Sequence, residues 1–144
     1  MNEANLRAGP LGQAAVTTIV ERLHSEGIEL LRLSYCDMHG TARGKDFPLD
    51  TLGHVVQDGL AFCVANLIDG LASNPTNAPG LAPDRGYPDM RARPVLSTLV
   101  HIPWEQGTAW CLADVEDAGG PIEIAPRHLL KRVIARFDQL GLKP

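Results

Sequence analysis

The stretch "GIELLRLSYCDMHGTARGK", residues 27–45, decides how the rest of the chain is read. Within it Leu31, Leu33 and Tyr35 alternate with Arg32 and Ser34, and that period of two is the mark of a strand with one buried side. His39-Gly40 stands at the tip, and the residues beyond are more polar, so the spacing predicts a β-hairpin over 29–48. Asp37, at the turn, suits an Asx-turn, in which the short carboxylate bonds its own backbone.

The flanks follow from this hairpin. Upstream, Val16, Ile19, Val20 and Leu23 fall on one helical face between Leu11 and Glu26, and Gly27 supplies the stop. Downstream, Asp50 is a candidate N-cap and Gly59 a stop for a short helix, and "LAFCVANLI", residues 60–68, reads as a continuous apolar strand. After Asp69 the pattern dissolves. Six of the 11 prolines lie between Pro75 and Pro103, and each lacks the amide hydrogen that a ladder needs, so loop is expected there, broken by at most a short strand or turn. "TLVHIPW", "TAWCLADV" and "PIEIAP" alternate like strands around the turn "EDAGG". Leu130, Val133, Ile134 and Phe137 then place one apolar face on a closing amphipathic helix. Paired strands with few helices predict an α+β fold, an antiparallel or mixed sheet with helices packed on one face. No glycine-rich βα turn supports a doubly wound one.

Composition narrows the function. The chain has 144 residues, 44% hydrophobic and 21% charged, enough for one domain with one core. Its formal charge of -4 supplies no positive field for nucleic acid or anionic lipid, so neither is expected as a partner. No apolar run is long enough to cross a bilayer, and the N-terminal residues lack the pattern of a secretion signal, so a cytoplasmic location is expected. Cys36, Cys63 and Cys111 are widely spaced without a CxxC pair and are expected as buried, reduced thiols. The five histidines show no metal-ligand spacing, and no metal site is expected in this chain. Neither a serine nucleophile elbow nor a phosphate-binding loop is present.

Among the carboxylates, Asp84, Asp89 and Asp114 read as solvated loop or strand ends. Asp69 differs, because it follows nine nearly all apolar residues that would hold it at a sheet edge. The residues alone leave two readings open: Asp69-Gly70 begins a turn, or Asp69 is an acid delivered to a ligand.

The ordered motifs "GIELLRLSYCDMHGTARGK", "GLAFCVANLIDG", "YPDMRARPVLSTLVHIPW", "AWCLADV" and "GGPIEIAPRHLLKRV" resemble the N-terminal β-grasp domain of the glutamine synthetase superfamily, from about Glu21 to the end. The flavour is that of the γ-glutamyl-amine ligases and glutamine-synthetase-like proteins. The resemblance implies an N-terminal helix over 1–27, a β-grasp (ubiquitin-like) domain over 28–125, and over 126–144 the first helix of a catalytic domain that lies beyond this sequence. It implies an ATP-dependent carboxylate–amine ligase, in which glutamate is activated as its γ-phosphate and ammonia or an amine displaces the phosphate. ATP and Mg2+ or Mn2+ would serve the full-length family enzyme from that other domain, leaving no cofactor in this chain and the chain alone inactive.

In the family, rings of identical subunits form active sites that a neighbour's β-grasp domain completes. Asp69 falls at the place of the acid that positions the amine, with Gly70, Ser73 and Asn74 in the substrate loop. Two departures bear on the amine. "DGLASNPTNAPG" replaces the serines and glycine that follow Asp-Gly in housekeeping enzymes, and Val95 stands where the family commonly carries an acid. A bulkier amine than ammonia, or none, thus stays open. The rival expectation is a free-standing β-grasp module that binds or assembles without catalysis.

Overall fold

A computed structural model describes residues 12–70 and 86–143. In chain order the elements are α1 (Gln13–Ser25), β1 (Leu30–Cys36), β2 (Ala42–Pro48), α2 (Leu52–Asp58), β3 (Leu60–Cys63), β4 (Asp89–Pro94), β5 (Val100–His101), β6 (Thr108–Asp117), β7 (Gly120–Pro121) and α3 (Pro126–Gln139). The strands form one mixed sheet in the order β2-β1-β6-β4-β3, with β5 and β7 also pairing β6. The expected α+β class holds, and the sheet is mixed because β1 and β6 run parallel, with Leu30 opposite Thr108 and Ser34 opposite Leu112. Two distant strands lying parallel side by side, with a further strand outside each, is a β-grasp arrangement.

The chain divides into two compact units. The first comprises the described residues up to Ser34, Gly44–Leu60 and Arg93–Ala113. Its core is the alternating set predicted from β1, Leu31 and Leu33, joined by Leu23 of α1, Leu49 and Leu52. All five are fully buried, and each such side chain contributes roughly 1.5–3 kcal/mol on transfer from water. Along β6, Ala109, Cys111 and Ala113 are buried while Trp110 and Leu112 are half-buried, a small-residue face suited to a central strand. Gly44 is required where β2 approaches β1, since a Cβ there would lie 2.5 Å from Ser34 Oγ and 2.7 Å from the Leu33 carbonyl oxygen.

Polar links complete this unit. Arg32 donates to Asp46 from Nε and Nη2, both at 2.7 Å, and to Glu105 at 2.8 and 2.9 Å. The Asp46 hydrogen bond, then that of Glu105, outweighs desolvation and holds the guanidinium still more firmly protonated, while the Arg32 contact holds Asp46 below the usual carboxylate range. Asp50 is not an N-cap: no side chain caps α2, and Asp50 instead meets His24 Nε2 at 2.7 Å. Arg93 donates to the carbonyls of Val56 and Gln57, closing the C-terminal end of α2, where Gly59 adopts φ +70°. Val95 is the N-cap of the short turn Leu96–Thr98 and supplies no side-chain cap, so backbone and Thr98 hold the turn. The Val95 amide donates to the Leu112 carbonyl at 2.8 Å, and its carbonyl accepts from Thr98 Oγ1 at 2.7 Å.

The second unit comprises Tyr35–Arg43, the described residues of 61–92, and those from Asp114 onward. Here the expected strand over 60–68 is corrected. β3 ends at Cys63, and Val64–Leu67 form a single 3-10 turn. A continuous apolar run has no period to choose strand over turn. The tertiary setting decides: Val64, Ala65, Leu67 and Ile68 are all buried, which an extended segment could achieve only with cover on both faces. The Val64 amide donates to the Pro88 carbonyl, and the Leu67 carbonyl accepts from the Met38 amide.

Two other strands are shorter than their sequence pattern, with β5 and β7 of two residues each. Asp114 lies inside β6 rather than at a strand end, and its side chain, though 43% exposed, is paired. It accepts from Arg127 Nε at 3.0 Å and from Lys131 Nζ, tying α3 to β6. No residue of α3 is buried, and Leu129, Leu130, Val133 and Phe137 of its apolar stripe are exposed. Of the cysteines, all free, only Cys111 is fully buried.

Candidate functional site

The site is built where two chain reversals of the second unit meet. One is the hairpin turn. Gly40 adopts φ +84°, and its amide donates to the Asp37 carbonyl at 3.1 Å. The Asp37 side chain is fully buried and accepts from the amides of His39 and Thr41, each at 2.9 Å, and from Arg43 Nε at 2.9 Å. Burial pushes this carboxyl's pKa upward, but the Arg43 bond and the two amides together outweigh it and hold the group below the usual carboxylate range. The expected Asx-turn role is thus present, reinforced by a cation that spacing did not reveal.

The other reversal is the 3-10 turn. Its last hydrogen bonds run from the amides of Ile68 and Asp69 to the Ala65 carbonyl, both at 2.9 Å, and they fix the backbone that carries Asp69. The Asp69 residue is 9% exposed. Among the described residues, nothing donates a hydrogen bond to its carboxylate. Its main chain thus sets it in place, and among the described residues its carboxylate has no donor. Gly70 follows it within the described residues; Ser73 and Asn74 lie outside them.

Tyr35, which sequence reading placed only in the β1 core, belongs to this site as well. Its ring meets Phe62 edge-on, with centroids 5.0 Å apart and planes at 84°. Its hydroxyl is buried with no closed hydrogen bond among the described residues. Asn66 bears on the phenol as a hydrogen-bonding side chain that favours its ionised form, yet no bond of ordinary geometry closes on the hydroxyl. Desolvation pushes the phenol's pKa up to about 12, Asn66 and Arg43 pull against that rise, and the charges of Asp37 and Asp69 add to it. The site therefore joins a saturated acid, an open acid and a neutral buried phenol. The one signal that could have found Tyr35 is its hydroxyl, a polar atom on the apolar side of β1.

Among the described residues no group of three or more His, Cys, Asp or Glu side chains could hold a metal ion. The donor chemistry gives the reason, since Asp37, Asp46, Glu105 and Asp114 are already engaged by Arg or Lys. Nor is any described helix long and apolar enough to cross a membrane.

The strand order with its central parallel pair β1–β6 defines a domain of the β-grasp class. Comparison with known proteins makes the class specific, although no family model matches the chain. A glutamate–isopropylamine ligase of a Pseudomonas species is 33% identical over 84% of this chain and 27% of its own length. A glutamine synthetase of Rhizobium leguminosarum bv. phaseoli is 30% identical over 82% of this chain and 24% of its own. A solved structure described as a GmaS/ADP complex superposes with a TM-score of 0.64 at 27% identity, covering 83% of this chain and 25% of that one. The chain belongs to the glutamine synthetase superfamily, with its γ-glutamyl-amine ligases. It spans about a quarter of the length of these relatives.

Proposed function

We propose that this chain is the amine-site portion of an ATP-dependent carboxylate–amine ligase, acting on glutamate and ammonia or a small amine, and that Asp69 is the residue it contributes. The observation that carries this reading is the open, backbone-fixed carboxylate at the end of the 3-10 turn. A carboxylate there attracts a cationic amine and can take a proton from it as the nitrogen attacks an acyl phosphate. The relative named for isopropylamine supports an amine larger than ammonia.

In the whole protein ATP and its divalent metal belong to other residues. The acid serves the active site of a neighbouring subunit in a ring of identical chains. The exposed apolar stripe of α3 supports the expectation that residues 126–144 open a further domain, on which this stripe packs. The protein works in the cytoplasm. A free-standing binding module has no specific observation in its favour, since it would not need an acid left open.

The test uses the protein encoded by the natural reading frame. Asp69→Asn is expected to lower kcat/KM for the amine by about 100-fold, in the range of a lost general base, while KM for ATP stays unchanged. An unaltered amine kcat/KM would overturn the assignment. The 144-residue chain alone is expected to release no phosphate from ATP with glutamate and amine, and turnover by it would contradict the proposed division of labour.

A further inference from the structure

We propose that Tyr35 is a positioning residue whose hydroxyl donates to the Asp69 carboxylate in the amine-bound state, fixing which carboxylate oxygen faces the nitrogen. The inference rests on the reading of Asp69 given above and adds a residue that this reading does not require.

Geometry places the two groups in one neighbourhood. The backbone bond from the Met38 amide to the Leu67 carbonyl, 3.0 Å, ties the hairpin turn to the turn that carries Asn66 and ends at Asp69. The Tyr35 residue is 3% exposed, and its edge-on contact with Phe62 leaves the ring little room to swing away. Its hydroxyl has no completed partner among the described residues, and the Asp69 charge bears on it. Native folds seldom bury such a donor unmatched unless the vacancy serves a purpose.

The chemistry matches the vacancy. A phenol donates one hydrogen, and an ionised carboxylate only accepts. In the free state Asp69 retains 9% exposure. An arriving alkylammonium engages one carboxylate oxygen, and the phenol then satisfies the other. A neutral donor suits this place better than a lysine or arginine would, because it orients the carboxylate without neutralising the charge that attracts the amine. The phenol stays protonated throughout the physiological range, since burial holds its pKa high.

Tyr35→Phe keeps the ring and removes only the hydroxyl. In the natural-length protein, with ammonium, methylamine, ethylamine and isopropylamine as probes, KM for the best amine is expected to rise about tenfold, with KM for ATP and glutamate unchanged. In the 144-residue chain the same substitution is expected to leave the melting temperature at or above that of the parent, because an unmatched buried group has been removed. Combined with Asp69→Asn, it is expected to add no further loss. An unchanged amine KM in Tyr35→Phe, alongside a loss in Asp69→Asn, would overturn the inference and leave the reading of Asp69 standing. No loss in either variant would overturn both. A clear drop in melting temperature would show that the hydroxyl is structurally engaged, and would also overturn the inference.

Discussion

Asp37 and Asp69 are both buried acids at chain reversals in the same unit, yet they are held in opposite ways. Asp37 accepts from two amides and a guanidinium and retains no exposure, whereas Asp69 has a fixed backbone and, among the described residues, a carboxylate without a donor. A buried charge costs several kcal/mol unless it is matched, so a fully matched acid serves the fold and an open one is retained for something that arrives later. The contrast also separates two kinds of turn. The hairpin supplies amides that converge on its own acid, while the 3-10 turn spends its amides on the Ala65 carbonyl.

The largest expected effect tests the matched side. Asp37→Ala removes the acceptor of two turn amides and the buried carboxylate that Arg43 meets, and is expected to destabilise the chain by about 3–5 kcal/mol, measured by urea denaturation. A loss no larger than that of an ordinary surface substitution would break the comparison. A pH titration sharpens it further. Because the folded pKa of Asp37 lies below its unfolded value, its contribution is present above about pH 4 and is lost as pH falls through the folded pKa. Asp37→Asn is therefore expected to flatten the acid limb of the stability profile, visible in melting temperatures taken at successive pH values. Asp46 adds a weaker limb of the same sign, since its pair with Arg32 is more than a third exposed on the acid's side. The remaining effect, of opposite sign, belongs to the open side: Asp69→Asn is expected to leave the stability of the isolated chain unchanged or raise it, because a buried charge without a donor among the described residues is removed. A loss of several kcal/mol there would make Asp69 a second structural acid.

How far the sequence could be read depended on whether a signal was periodic or local. The α1 face, the alternation in β1 and the stops at Gly27 and Gly59 were legible because a helix or strand imposes its repeat on the residues that build it. The run at 60–68 was not, since an apolar sequence without period fits a strand and a buried 3-10 turn equally. Two-residue strands such as β5 and β7 are set by pairing with β6, and their flanking residues carry the same alternation whether or not they pair. The candidate site was half legible. Asp69 stood out by its context, but Asp37 and Asp69 look alike as acids at turns, and Tyr35 looked like any strand aromatic.

The sequence by itself determined the α+β class, the first hairpin and the flanking helices, because these follow from short-range pattern and turn chemistry. Tertiary structure alone decided which acid is matched. A hydrogen-bond partner such as Arg43 for Asp37, or Arg127 for Asp114, is chosen by where the folded backbone brings side chains together. The same long-range packing left the Tyr35 hydroxyl unmatched in the neighbourhood of Asp69, and no spacing along the chain encodes that vacancy.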